Sequence, residues 1–224
     1  MERTVTGGVD KMLRDIEAEV RYTRPMIRRD ALNPRVMEAI KKVPRHVFVG
    51  PHMQDSAYDN GPLPIGCGQT ISQPYIVALM TDLANVGEED SVLEVGTGSG
   101  YQAAVLAEVV RRVYSIEIIP ELAEQAAERL RRLGYTNVKT RIGNGRKGWK
   151  EYAPFDAILV TATAEHIPRP LIDQLKNGGR LIIPVGSVYG HQELMVVEKD
   201  DAGEISEWSA LPVAFVPLTG ADES

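Results

Sequence analysis

VLEVGTGSGYQAAVLA, residues 92–107, decides the reading of this chain. A short apolar run enters three alternating glycines, Gly96, Gly98 and Gly100, and leaves through an alanine-rich segment of helical character. A buried strand that turns tightly into a helix is the nucleotide-binding corner of a doubly wound α/β sheet. About twenty residues further on, a second apolar run, VYSIE, ends on Glu117, where a carboxylate can accept hydrogen bonds from ribose hydroxyls. The sixth position, which the dinucleotide fingerprint gives to glycine, is Tyr101, and no Lys-Ser or Lys-Thr follows the glycines. Dinucleotides and a phosphate-cradling P-loop therefore fit poorly. Glu94, two residues before the first glycine, would repel pyrophosphate and suits a cation such as the ammonium and sulfonium of S-adenosylmethionine.

Outward from this corner, short apolar strands alternate with amphipathic helices. Strands are expected at 91–95, 113–116, 138–142, 156–161, 180–184, 193–198 and around 210–216, and helices at 75–83, 101–110, 120–133 and 169–175. The pattern predicts an α/β fold, doubly wound and Rossmann-like, with a mostly parallel sheet. The final strands lack intervening helices and imply an antiparallel edge. Before the sheet, Met12, Leu13, Ile16 and Val20, then Met37 and Ile40, recur at helical spacing and predict two amphipathic helices within 10–42. The segment 44–74, punctuated by Pro44, Pro51, Pro62, Pro64 and Pro74 and by Gly50, Gly61, Gly66 and Gly68, reads as a long ordered loop. The chain thus divides into an N-terminal helical and loop extension, 1–74, and an α/β domain, 75–224, packed as one unit.

Composition narrows the function. Of the 224 residues, 25 are Lys or Arg and 31 Asp or Glu, a net charge of −6, so the broad positive field of nonspecific nucleic-acid or anionic-membrane binders is missing. Cys67 is the single cysteine, which excludes an internal disulfide and points to a reducing, cytoplasmic setting. The four histidines are scattered without ligand spacing, so no metal is expected. No run approaches the roughly 18 apolar residues of a membrane span. Within the loop, Gly66, Gly68, Thr70 and Ser72 precede Pro74, a helix-start residue. Backbone amides and hydroxyls there suit an anionic group, while Ser72 alone reads equally well as a helix N-cap.

GQTISQP (68–74), VLEVGTGSGYQ (92–102), YSIE (114–117), APFDAILV (153–160) and GGRLIIPVG (178–186) together resemble the protein-L-isoaspartate (D-aspartate) O-methyltransferase family over residues 36–218. The glycine turn alone would indicate only a class I methyltransferase; the QTIS loop is the specific part. The resemblance implies methyl transfer from S-adenosylmethionine to the free carboxyl of isoaspartyl residues in damaged proteins and peptides, by a monomer. It implies Ser72 as the catalytic serine, with Thr70 and Ile71 beside it in a loop over cofactor and substrate. It also implies Glu94, Gly96, Thr97, Gly98 and Gly100 as the methionine-side turn, Glu117 as the ribose carboxylate, and Asn144 with Gly145 as the adenine contact. The family's usual aspartate is replaced by Asn144, which implies weaker cofactor binding. The segment 213–218 is expected to be an edge strand beside the substrate peptide. Two alternatives stay open: a binding module that has lost catalysis, and a methyltransferase that tailors ordinary aspartates in a modified peptide.

Overall fold

In the computed structural model, which describes residues 2–188 and 190–220, the apolar run of the opening motif is an interior strand of a seven-stranded sheet, third from one edge. The chain begins with α1 (Glu2–Ile27) and α2 (Pro34–Lys42). Met12, Ile16, Val20 and Ile27 lie on the buried stripe of α1, each burial contributing roughly 1.5–3 kcal/mol. Pro25 removes one N–H from the last turn of α1, and the helix stops two residues later. Asn33 caps α2 by accepting from Arg35 N, and Pro34 is pre-organised for the first helical position.

The expected loop is more structured than its prolines suggest. Two short 3-10 turns, Arg45–Phe48 and Pro51–Met53, lead to a hairpin of β1 (Leu63–Gly66) and β2 (Gln69–Ile71). Its turn holds Gly66, Cys67 and Gly68 at positive φ. Next comes α3 (Pro74–Leu83), almost entirely buried. The sheet then runs through β3 (Ser91–Val95), α4 (Tyr101–Ala107), β4 (Arg112–Glu117), α5 (Pro120–Arg132), β5 (Val138–Ile142) and β6 (Phe155–Val160). It ends with α6 (Arg169–Asp173), β7 (Leu175–Gly186), β8 (Gln192–Lys199) and β9 (Ile205–Pro212).

The strand order is β5-β4-β3-β6-β7-β8-β9, with parallel pairing from β5 to β7 and antiparallel pairing for β8 and β9. Chain direction across the sheet reverses between β3 and β6, so the crevice at their carboxyl ends is the topological switch point where such folds bind ligands. Gly96 follows β3 there and Thr161 follows β6.

Three expectations change. The last strand is 205–212 rather than 210–216, and 213–218 is not an edge strand: it is an extended strap joined to the sheet by Thr163 N donating to Val216 O and Leu218 N donating to Thr163 O, both 2.8 Å. Its apolar residues face cavities instead of a neighbouring strand. Helix α6 stops at Asp173, because Leu175 already pairs with Phe155 at the start of β7. Helix α4 stops at Ala107, and 108–110 form a turn leading to β4.

Candidate functional site

The glycine turn is built by backbone constraints. Gly96, Gly98 and Gly100 have φ of +99°, +53° and +87°, a region that penalises side chains. A Cβ on Gly96 would collide with Thr161 Oγ1, and one on Gly100 would press Ala126 and Leu130 at 3.4 Å. Gly100 therefore supplies the close approach to α5, which leaves the next position free for Tyr101. Ile116 O accepts from Gly96 N (2.8 Å) and Thr97 N (3.2 Å), tying the turn to the end of β4.

Two carboxylates flank this turn. Glu117 accepts from Gly98 N (2.8 Å) through Oε2 and from Ile119 N (3.0 Å) through Oε1, so the turn itself holds it at the cavity wall. Lone pairs remain on both oxygens for ligand hydroxyls. Glu94 is fully buried; its Oε2 accepts from Ser115 Oγ (2.5 Å), which is also bonded to Thr97 Oγ1 (2.5 Å). Its Oε1 has no hydrogen-bond partner of good geometry among the described residues. Burial pushes the Glu94 carboxyl up to about 8, with the Ser115 hydroxyl opposing and the nearby Glu117 charge adding to the rise. A buried acceptor without a partner, lining a cavity shared with Thr70, Ile71, Ser72 and Thr97, suits a cationic or N–H-bearing ligand.

The hairpin and α3 bring up the opposite wall. Ser72 does not cap α3: Gln73 occupies the N-cap position without a side-chain bond, and Asn60 Oδ1 accepts from Tyr75 N (3.2 Å) in the first turn. The Ser72 hydroxyl is left unbonded among the described residues and faces a cleft of about 520 Å³. Thr70 and Thr161 line both this cleft and the cavity over the glycine turn, and join the two. Thr161 Oγ1 donates to Gly96 O (2.6 Å), a junction no local pattern in the sequence marks. The cavity over the turn is narrow, about 60 Å³, between Gln69 and Thr70 on one side and Val216, Pro217, Leu218 and Thr219 on the other.

Arg45 is the other residue that sequence reasoning missed. It is fully buried, stacks over the Tyr101 ring at 4.8 Å, and donates to Ala57 O (2.8 Å) and Ser72 O (2.7 Å). Desolvation lowers its pKa, and among the described residues it pairs with no carboxylate. Asn144 stands at the edge of the cavity, next to Gly145. Its Oδ1 accepts from Arg146 N (3.0 Å) as the cap of a 3-10 turn, and the cavity wall is formed by Gly145. Trp149 and Tyr152 pack with Tyr114 in the core beneath.

A doubly wound sheet with this turn, an acidic residue before it and another closing the second strand is the architecture of a class I methyltransferase. The comparisons agree and go further. The sequence profile of the protein-L-isoaspartate(D-aspartate) O-methyltransferase (PCMT) family matches residues 25–223, and the chain belongs to that family. A protein-L-isoaspartate O-methyltransferase 2 from Syntrophobacter fumaroxidans is 65% identical over 210 residues, covering 94% of this chain and 85% of the relative. Another from a Polaromonas species is 61% identical over 93% of this chain and 99% of the relative. Among solved structures, a protein-L-isoaspartate O-methyltransferase aligns with a TM-score of 0.82 at 26% identity, over 95% of this chain and 66% of that one. A structure from Plasmodium falciparum, described as such an enzyme in complex with S-adenosyl-L-homocysteine, aligns with a TM-score of 0.75 at 27% identity, over 92% of this chain and 97% of its own.

Proposed function

We propose that this protein is an S-adenosylmethionine-dependent methyltransferase acting on the free carboxyl of L-isoaspartyl residues in damaged proteins and peptides. The observation that carries the reading is the junction at Thr70 and Thr161, where the cavity of Glu117 and the glycine turn opens into the cleft faced by the Ser72 hydroxyl. The buried, half-satisfied Glu94 fits a cationic methyl donor, and Glu117 fits its ribose. When bound, the donor supplies an electrophilic methyl group on a positively charged sulfur.

The rest falls to the protein. A carboxylate with a pKa near 4 is already ionised at neutral pH, so no general base is needed to create the nucleophile. Ser72 donates a hydrogen bond that orients the substrate carboxylate, and Arg45, through the Ser72 carbonyl, fixes where that hydroxyl stands. Buried Ile71 keeps water from the cavity it shares with Thr70, Ser72 and Glu94, which favours a step in which opposite charges are neutralised. Gly98 and Gly145 complete the donor wall, Thr97 lines the smaller cavity beside Glu94, and Asn144 acts by shaping the turn that presents Gly145.

We further infer a cytoplasmic monomer without affinity for nucleic acid, in keeping with the net charge of −6 and the single cysteine. Among the described residues no helix is long and apolar enough to cross a membrane. Activity on D-aspartyl residues belongs to the same proposal, since the cleft is broad relative to one side chain. The deciding experiment is transfer of labelled methyl from S-adenosylmethionine to paired peptides that differ only in isoaspartyl against aspartyl linkage. Methylation of the isoaspartyl member alone supports the reading; equal labelling of both points to a tailoring enzyme, and labelling of neither to a module without catalysis.

A further inference from the structure

One wall of the cleft faced by Ser72 comes from α1. Glu19, Tyr22 and Thr23, at i, i+3 and i+4 of that helix, form one side of the 520 Å³ cleft. Thr23 is committed to structure: its hydroxyl bonds to Glu19 O (2.7 Å) and to Tyr75 OH (2.5 Å). The other two are uncommitted. Glu19 is the one charged side chain among the residues lining the cleft, and its carboxylate has no ion-pair or hydrogen-bond partner among the described residues. The nearest acid on its face, Asp15, is already paired with Lys11 at 2.9 Å. Tyr22 is 79% exposed, the most exposed large hydrophobic side chain of the described structure.

A lone carboxylate does not serve the reacting group, because an isoaspartyl carboxylate would be repelled by it. An unpaired carboxylate one helical turn from an open aromatic ring is instead the pairing that receives a cationic side chain, by charge on one side and by the ring face on the other. Resting on the isoaspartyl-methyltransferase reading, we propose that Glu19 and Tyr22 form a subsite for a basic residue flanking the isoaspartyl residue in the substrate chain, so that α1 sets a charge preference in damage recognition.

The test is steady-state methylation of isoaspartyl peptides carrying Lys, Ala or Glu at a single flanking position, in one set before and in another after the isoaspartyl residue. For the unaltered protein, KM in at least one set should rise from Lys to Glu by about fivefold, with kcat constant and the preference fading in high salt. Glu19→Lys should invert the order, Glu19→Gln should flatten it, and Tyr22→Ala should weaken the advantage of Lys alone. Circular dichroism and kcat on the Ala peptide establish that each variant is folded. A KM order unchanged in Glu19→Lys and Glu19→Gln, or no charge preference in either set for the unaltered protein, overturns the subsite. Failure to methylate any isoaspartyl peptide, Ala included, would instead overturn the enzymatic reading beneath it.

Discussion

Replacing Glu94 by glutamine should stabilise the free protein while crippling its grip on the donor. In the folded chain the carboxyl is fully buried and its pKa stands at about 8, against 4.5 in an exposed carboxyl. Between those values the folded state holds a proton that the unfolded state has released, so stability falls as pH rises across the window, by about 1.4 kcal/mol for each pH unit. The whole interval corresponds to at most about 5 kcal/mol, lost by pH 8 and fully retained below about pH 4.5. Glutamine keeps the shape, keeps an acceptor for Ser115 Oγ, and carries no such penalty. Urea unfolding of both proteins without donor, at pH 5.5, 6.5 and 7.5, should show the glutamine variant gaining on the parent by about 1 kcal/mol or more per pH unit. Calorimetry should show donor affinity at least about tenfold weaker in the variant, as expected when a charge-assisted contact is removed. In the parent, donor binding at pH 7 should release protons, read as a dependence of the heat on buffer ionisation. A stability difference that stays flat across this pH range would refute the argument, because Glu94 would then titrate alike in both states.

Three other outcomes follow from the geometry. Ser72→Ala should lower kcat by about tenfold or more, the worth of one hydrogen bond to a charged group, with donor affinity by calorimetry unchanged; full activity removes Ser72 from the mechanism. Arg45→Met exchanges a buried cation without an anionic partner for an apolar chain of similar length. It should leave the urea midpoint equal or higher while kcat falls, since Ser72 O loses its 2.7 Å anchor; a large loss of stability would mean that the carbonyl bonds outweigh the desolvation. Gly96→Ala should cost at least about 1 kcal/mol of stability from its φ of +99° and abolish donor binding by displacing Thr161, which thermal unfolding with and without donor would reveal.

Much of this was legible because burial on both faces leaves a plain trace. The strands 91–95 and 138–142 and the helix starting at Pro120 stand where apolar periodicity and proline placed them, and the glycine turn marked the switch point of the sheet. What misled was apolar residues serving a purpose other than pairing. Residues 213–218 look like a strand because they must be apolar to line cavities, whereas the true edge strand, Ile205–Pro212, carries exposed polar side chains and hides its pattern. The hairpin was masked by Gly66, Cys67 and Gly68, which read as punctuation and serve as a turn. Arg45 and Thr161 had no local signature, since their partners lie 12 to 65 residues away. Ser72 shows the limit in reverse: its neighbourhood allowed a cap, and only the remote Asn60 reveals that the helix start is already served.

Thr161 leaves a constraint on how this molecule can diverge. It lines the cavity over the glycine turn and the neighbouring cleft at once, and its hydroxyl is spent on the Gly96 carbonyl. Mutational drift at this position cannot retune one ligand's fit in isolation, so new substrate ranges are more accessible through the α1 side of the cleft, where a side chain can change without disturbing the methyl donor.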